Sequence, residues 1–367
     1  MIIKGAIANG KGSFVIGDIE IMEPLGDEVL VEMIAAGICH TDWDSQSWGK
    51  PLLMGHEGAG IVAEVGPLVT KVIRGDKVIL NWAIPCHNCF QCMEGNQHLC
   101  EINSPVIAGN KISGGHAGFE RTKYKGKPLE RSFSLGTLSQ FTLVREAALV
   151  KMKEDVPFVC GAIISCGVMT GYGSAVNVAK IKKQSSVVVI GAGGVGLNVI
   201  QGARISGANK IIVIDIQDNH LIMAKEFGAT HTILSEADDE FLENATQKVK
   251  AITLGQGADY AFECTGKASL VAAPLAMIRN AGMAIQVSGC EKKVIIDMSL
   301  FEWDKTYVNP LYGKCTPQTD MNILQDLYLN GDLILDNMVT NTYPLEKLAY
   351  AFNDMHKGIN AKGVIVF

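Results

Sequence analysis

Alternation of apolar and polar positions marks the first third of the chain as strands. The run Glu28-Val29-Leu30-Val31-Glu32-Met33 alternates, and Gly58 to Gly66, Gly75 to Leu80 and Ser139 to Val144 are β-rich runs bounded by Gly, Pro or Asp. They predict a barrel-like β domain. From about residue 168 the pattern changes. Short β-branched runs at 186–190, 210–215, 230–234, 259–264 and 283–288 alternate with helical stretches, which predicts a doubly wound parallel sheet. Beyond Pro310, helical patterns at 321–329 and 345–357 lead to a last strand at 363–367, placed to return to the first domain.

Composition narrows the function. A chain of 367 residues has room for about two domains, and 48% hydrophobic with 19% charged residues is the ordinary balance of a globular protein with large cores. Lys and Arg number 32 against 38 Asp and Glu, a net charge of −6, with no basic block to grip nucleic acid or an anionic membrane. A small-molecule partner is expected. The N-terminus lacks a charged-then-apolar signal pattern, and the longest apolar run, Val187 to Ile200, is broken by glycines, so a cytoplasmic protein without a membrane span is expected. Ten cysteines in such a chain point to metal binding or catalysis rather than to disulfides.

The clearest chemical signal follows the first run of the second domain. Ser186-Val187-Val188-Val189-Ile190 leads into Gly191-Ala192-Gly193-Gly194-Val195-Gly196 and then a helical pattern that Gly207 can stop. This is G-x-G-x-x-G between a strand and a helix, where glycines allow a tight turn and close approach of a pyrophosphate to the helix N-terminus. The next strand, Ile211-Ile212-Val213-Ile214-Asp215, ends in a carboxylate placed to bind the hydroxyls of an adenosine ribose. No arginine follows it to clamp a 2′-phosphate, which selects NAD over NADP.

Cysteines form a second signal. Cys86, Cys89, Cys92 and Cys100 have the spacing C-x2-C-x2-C-x7-C, and four thiolates on one loop close a tetrahedral zinc site with no open position, a structural site. His87 and His98, beside this lobe, read as surface residues because the metal is already saturated. Three further segments, Cys39-His40-Thr41-Asp42, Gly55-His56-Glu57 and Cys166 to Gly173, are weak singly.

Together these motifs resemble the zinc-dependent alcohol dehydrogenases of the medium-chain dehydrogenase/reductase superfamily. GICHTD at 37–42, GHEGAG at 55–60, the four-cysteine lobe, CGVMTGYG at 166–173 and GAGGVG at 191–196 occur in the family's order across essentially the whole chain. The resemblance implies a Rossmann sheet inserted in a GroES-like β-barrel catalytic domain. Residues 1–167 would be GroES-like, 168–311 would bind NAD, and 312–367 would return to the catalytic domain. It also implies two zincs per chain. Cys39, His56 and Cys166 would hold the catalytic one with a fourth position open, a ligand set carried over from that family. Zinc so held lowers the pKa of a bound alcohol, and hydride then passes to the nicotinamide.

By the same resemblance, Asp42 orients a ligand histidine, Glu57 lies behind the metal and Thr41 takes the alcohol proton. His40 and Lys362 would meet the cofactor pyrophosphate, with Thr170 and Val287 among the further cofactor contacts. A homodimer is implied, with a tetramer as the alternative. Departures bear on substrate. Asp44 stands where liver-type enzymes place a relay histidine, and the interval from Cys39 to His56 is 17 residues, about four fewer than in those enzymes, so the loop bearing Trp43 and Trp48 is shortened. Trp82 aligns with a channel-lining aromatic residue. The chain looks most like bacterial aryl and benzyl alcohol dehydrogenases, so an apolar primary alcohol, aromatic or allylic, is expected. Glutathione-dependent formaldehyde dehydrogenases are near neighbours, but the arginine they carry four residues after the last lobe cysteine is here Ser104. A noncatalytic nucleotide-binding relative is the remaining alternative. Cys160, Cys264, Cys290 and Cys315 read as buried or half-buried thiols, and His116, His220, His231 and His356 have no evident partner.

Overall fold

The computed structural model describes residues 1–104, 121–236, 238–290 and 292–367; His116 lies outside them. These residues form two compact units, Met1–Cys166 with Thr316–Phe367, and Gly167–Cys315.

In the first unit, the strand Glu28–Gly37 is the hub. It pairs antiparallel with Gly58–Val65, with Phe141–Arg145 and with the late strand Lys362–Val366. Lys77–Leu80 and Leu149–Lys151 extend one side of this sheet and Val339–Tyr343 the other. A strand expected from Gly75 begins only at Lys77, because Gly75 turns the chain at a φ of 94°. A second sheet is built on Ile2–Ala8 and Phe14–Ile21, paired so that Gly5 faces Gly17. Those two strands carry no clean alternation in the sequence, and the facing glycines are one reason. Between the sheets lies an aliphatic core that includes Ile7, Ile19, Leu30, Leu53 and Leu143.

The second unit is a six-stranded parallel sheet. Its strands run in the order His231–Leu234, Lys210–Asp215, Ser186–Ile190, Ala258–Glu263, Ile278–Gln286 and Thr306–Val308. This is the doubly wound order, in which the crevice opens at the carboxyl ends of Ser186–Ile190 and Ala258–Glu263, where the strand order reverses. Val187 to Ile190 are all buried, as a parallel strand covered on both faces requires. The helix Gly194–Ile205 starts at Gly193 and stops at Gly207, whose φ of 82° ends it.

Among the described residues, one helix, Phe158–Val178, is long and apolar enough to cross a membrane, a segment that the glycine-broken run at 187–200 had overshadowed. Of its most apolar stretch 78% is buried, the pattern of a core helix. Its residues Ile164–Val168 widen into a π-helical turn.

The glycine turn yields a test. A Cβ at Gly196 would collide with the carbonyl oxygen of Gly191, whereas one at Gly193 meets nothing within 4 Å. Gly196→Ala is therefore expected to lose roughly 1–3 kcal/mol of stability and Gly193→Ala much less, as read by chemical denaturation.

Candidate functional site

Cys39 sits at the N-cap of a short helix, His40–Ser45, and Asp42 in the first turn of that helix accepts the Cys39 backbone N–H at 3.1 Å. The other oxygen of Asp42 lies 2.7 Å from Nδ1 of His56, and both side chains are buried. With Nδ1–H donated to Asp42, the Nε2 lone pair of His56 is the one turned toward Cys39. His56 is held in place by Gly55, whose carbonyl accepts the N–H groups of Gly136 and Thr137 at 3.1 Å. Cys166 arrives on the π-helical turn, a kind of irregularity common at functional sites. Its neighbour Ser165 accepts the Gly58 N–H at 3.1 Å and donates to the Ala162 carbonyl at 2.6 Å, tying this turn to the segment that carries His56.

These positions form one cluster, with His56, Glu57 and Asp42 buried and Cys39 and Cys166 half-buried. Single ligand atoms of Cys39, His56 and Glu57 all lie within 4.8 Å of one another, and the Cys39 and Cys166 thiols are hydrogen-bonded. That bond from Cys166 holds Cys39 well below the usual thiol range, against the opposing effect of burial. The same bond, with burial, pushes Cys166 well above it. Burial opposes the charged form of His56, yet the Asp42 charge and hydrogen bond raise it well above the ordinary histidine value. Burial lifts Glu57 to about 7, with Lys362 pulling the other way. Two sulfurs, one oriented imidazole and a buried carboxylate oxygen of Glu57 without a hydrogen-bond partner are a donor set suited to zinc.

Lys362 departs from expectation. Rather than reaching outward for a pyrophosphate, its buried ammonium donates to Oε1 of Glu57 at 2.6 Å and to the Ile38 carbonyl at 2.9 Å. The reason is the strand that carries it, which pairs beside Gly37 and so delivers the side chain to the back of the cluster. His40 is exposed, with its ring edge-on to His356 at 5.7 Å, and Thr41 is half-buried in the first turn of the same helix.

The four lobe sulfurs also lie within 4.8 Å of one another. Backbone N–H groups point at them: Asn88 and Cys89 donate to Cys86, Glu101 to Cys89 and Asn103 to Cys100, at 3.2–3.4 Å. Donors aimed at sulfur favour thiolates, as a closed metal site needs. His87 is exposed as expected. His98 is not: only 3% exposed, it packs into the lobe because it falls on the turn Gln97–Leu99 that leads to Cys100.

The aromatic residues divide. Trp48 and Trp82 both pack on Phe133, at 5.8 and 5.4 Å, and Phe133 in turn lies 4.8 Å from the His56 ring. Trp43 instead packs on Phe352 and His356. Phe133 gave no signal in the sequence. It is held at a φ of 52°, a left-handed conformation that no apolar pattern announces.

In the nucleotide unit, Gly193 leaves open space at the start of the Gly194–Ile205 helix, the cradle a pyrophosphate needs. Gly194 and Val195 open the helix, and Gly191, at a φ of 89°, makes the turn. Asp215 accepts the Ala192 N–H at 2.8 Å and the Gln217 N–H at 3.0 Å, so it braces the glycine turn from the next strand. Burial opposes its ionisation, but the His220 hydrogen bond and these two N–H groups lower its pKa. Buried Val287 donates to the Glu263 carbonyl at 2.9 Å, and Thr170 is half-buried with its carbonyl accepting from Ser174. Glu263, unremarked in the sequence, is fully buried. It accepts N–H groups of Thr265 and Gly266 at 2.7 and 3.0 Å and fixes the turn after its strand; its only signal was an acid ending an apolar run.

Residues 26–154 match the model of the alcohol dehydrogenase GroES-like domain, and residues 194–322 that of the zinc-binding dehydrogenase family. The chain is 34% identical to an S-(hydroxymethyl)glutathione dehydrogenase of Paracoccus denitrificans, over 95% of this chain and 96% of that protein. It is also 34% identical to an alcohol dehydrogenase class-3 of Cereibacter sphaeroides, with the same coverage. Among solved structures, benzyl alcohol dehydrogenase from Acinetobacter calcoaceticus superposes with a TM-score of 0.89 at 30% identity, over 100% of this chain and 99% of that one. Both family models and the curated relatives agree with the Cys–His–Cys cluster of one unit and the dinucleotide turn of the other, and the chain belongs to the zinc-dependent alcohol dehydrogenases, oxidoreductases that use NAD and zinc.

Proposed function

We propose that this enzyme interconverts an apolar primary alcohol, aromatic or allylic, and its aldehyde. The observation that carries the reading is the cluster of Cys39, His56 and Cys166 with an aromatic wall beside it. When bound there, zinc supplies Lewis acidity to the alcohol oxygen and NAD accepts the hydride. Cys39, His56 and Cys166 hold the metal. Asp42 engages Nδ1 of His56, which leaves Nε2 as the nitrogen that would bind the metal. Two thiolates balance the charge of the ion, and Glu57 with Lys362 forms a neutralised pair behind it. Thr41, in the first turn beside Cys39, takes the hydroxyl proton. The turn Gly191–Gly196 cradles the pyrophosphate and Asp215 binds the adenosine ribose, with Thr170 and Val287 as further cofactor contacts of the nucleotide unit. Cys86, Cys89, Cys92 and Cys100 hold a second, structural zinc.

Phe133, Trp48 and Trp82 support the choice of a flat apolar substrate, since Phe133 lies against the His56 ring and both tryptophans pack on Phe133. Trp43 lies outside that stack and is not part of the proposed wall. The edge strand Thr306–Val308 of the nucleotide unit, flanked by Trp303 at 68% exposure, supports pairing of two copies in a homodimer, with a tetramer as the alternative.

The two metal sites should separate. Cys166→Ala is expected to lose one zinc by metal analysis and nearly all turnover while its circular dichroism stays native. Cys92→Ala should lower the melting temperature, because a closed thiolate site contributes folding free energy. Wild-type turnover in Cys166→Ala would overturn the ligand assignment.

Substrate choice is read from kcat/KM on a panel of alcohols. Trp48→Ala, at a half-exposed position, and Phe133→Ala should each weaken benzyl alcohol by roughly tenfold more than ethanol, the order expected from losing one aromatic contact. A requirement for glutathione with formaldehyde would move the assignment to the S-(hydroxymethyl)glutathione class instead.

For the cofactor, wild type should prefer NAD to NADP by at least about a hundredfold, since a carboxylate facing a 2′-phosphate at close range is worth up to about 4 kcal/mol. Asp215→Gly should lose most of that ratio. Comparable use of both cofactors by wild type would overturn the role of Asp215.

A further inference from the structure

Asp215 does not stand alone at the end of its strand. Nδ1 of His220 lies 3.3 Å from both Oδ1 and Oδ2, bridging the carboxylate from the first turn of the next helix, Asp218–Phe227. Both side chains are largely buried, 15% and 8% exposed. In sequence the residue was unremarkable, because five positions separate it from Asp215 and it lies across a strand-to-helix turn.

We propose that His220 is a specificity-determining residue that sets how strictly the site rejects a 2′-phosphate. As a neutral donor it leaves the full Asp215 charge facing the ribose. As a cation it cancels that charge, and the pair then presents no net charge to a phosphate. The inference rests on the assignment of Asp215 to the adenosine ribose. Imidazole is the side chain whose charge changes between about pH 5 and 8, so the discrimination becomes a function of pH.

Asp215 is the acid that the neighbouring elements bring to His220. The helix packs on the strands Lys210–Asp215 and His231–Leu234 and on the helix Gly194–Ile205. Apart from Asp215, the ionisable groups of those elements are Lys210, His231 and Arg204. Lys210 donates to the Ile252 carbonyl at 2.8 Å, His231 is bonded to Thr230 at 2.8 Å, and Arg204 lies against Gly228 beyond the far end of the helix. On the helix of His220 itself, Asp218, Lys225 and Glu226 are exposed.

The test measures Kd for NADH and NADPH by fluorescence titration at about pH 6 and about pH 8.5, in wild type and His220→Asn. The wild-type preference for NADH should shrink on acidification by roughly five- to tenfold more than that of the variant. The variant is the necessary baseline, because the 2′-phosphate itself gains a proton near pH ~6. A strong NADH preference with the same pH course in both proteins would overturn the role of His220 alone. Comparable affinity for both cofactors at about pH 8.5 would overturn the Asp215 assignment and this inference with it.

Discussion

Asp42 is the constraint on which the reactive cluster depends. One oxygen caps the backbone of Cys39 and the other holds the His56 ring, so a single buried carboxylate sets the positions of two donor residues. Remove it and the helix His40–Ser45 loses its cap while the imidazole loses its tautomer. A buried carboxylate without partners is costly, and here the partners that satisfy it are the groups it must position. The same economy recurs in the nucleotide unit. Asp215 braces the glycine turn through the Ala192 N–H and the segment after its own strand through the Gln217 N–H.

What the sequence disclosed was whatever is local. The strand Ser186–Ile190, the glycine turn and Asp215 fall within 30 residues and obey one periodicity each, so their geometry follows from neighbours along the chain. The four lobe cysteines are equally local. Their convergence needs no distant contact. What escaped was decided by packing across long separations. Lys362 meets Glu57 across 305 residues, and its inward course is set by strand pairing that no single run of residues encodes. Phe133 is placed by a left-handed turn, and His98 is buried by the lobe it helps to close. Trp43 left its expected companions because the helix that bears it turns its ring toward Phe352.

Family likeness supplied the link between dispersed segments that local reasoning could not. Cys39, His56 and Cys166 are ordinary residues in three unrelated contexts: a helix cap, a loop and a π-helical turn. Only the fold makes them one site. Glu57 shows the complementary case, a residue whose neighbourhood is uncommon in any context. A carboxylate wholly buried beside two thiols persists only with a cation at its back, and Lys362 is that cation.

The course of the chain has a consequence for how the enzyme comes into being. The strand Lys362–Val366 lies between Glu28–Gly37 and Val339–Tyr343 in the sheet of the first unit, yet it is synthesised after the whole of the nucleotide unit. Domains fold in the order in which they emerge, and non-local pairing is slow because a long loop must close first. The nucleotide unit, continuous from Gly167 to Cys315, can therefore be complete while the catalytic sheet still lacks an interior strand. Until that strand docks, Glu57 has no countercharge and the reactive cluster has no back wall. Assembly of the catalytic unit thus waits until the nucleotide unit has been synthesised, and a nascent chain would be able to acquire its dinucleotide turn well before the cluster around Cys39 and His56 is complete.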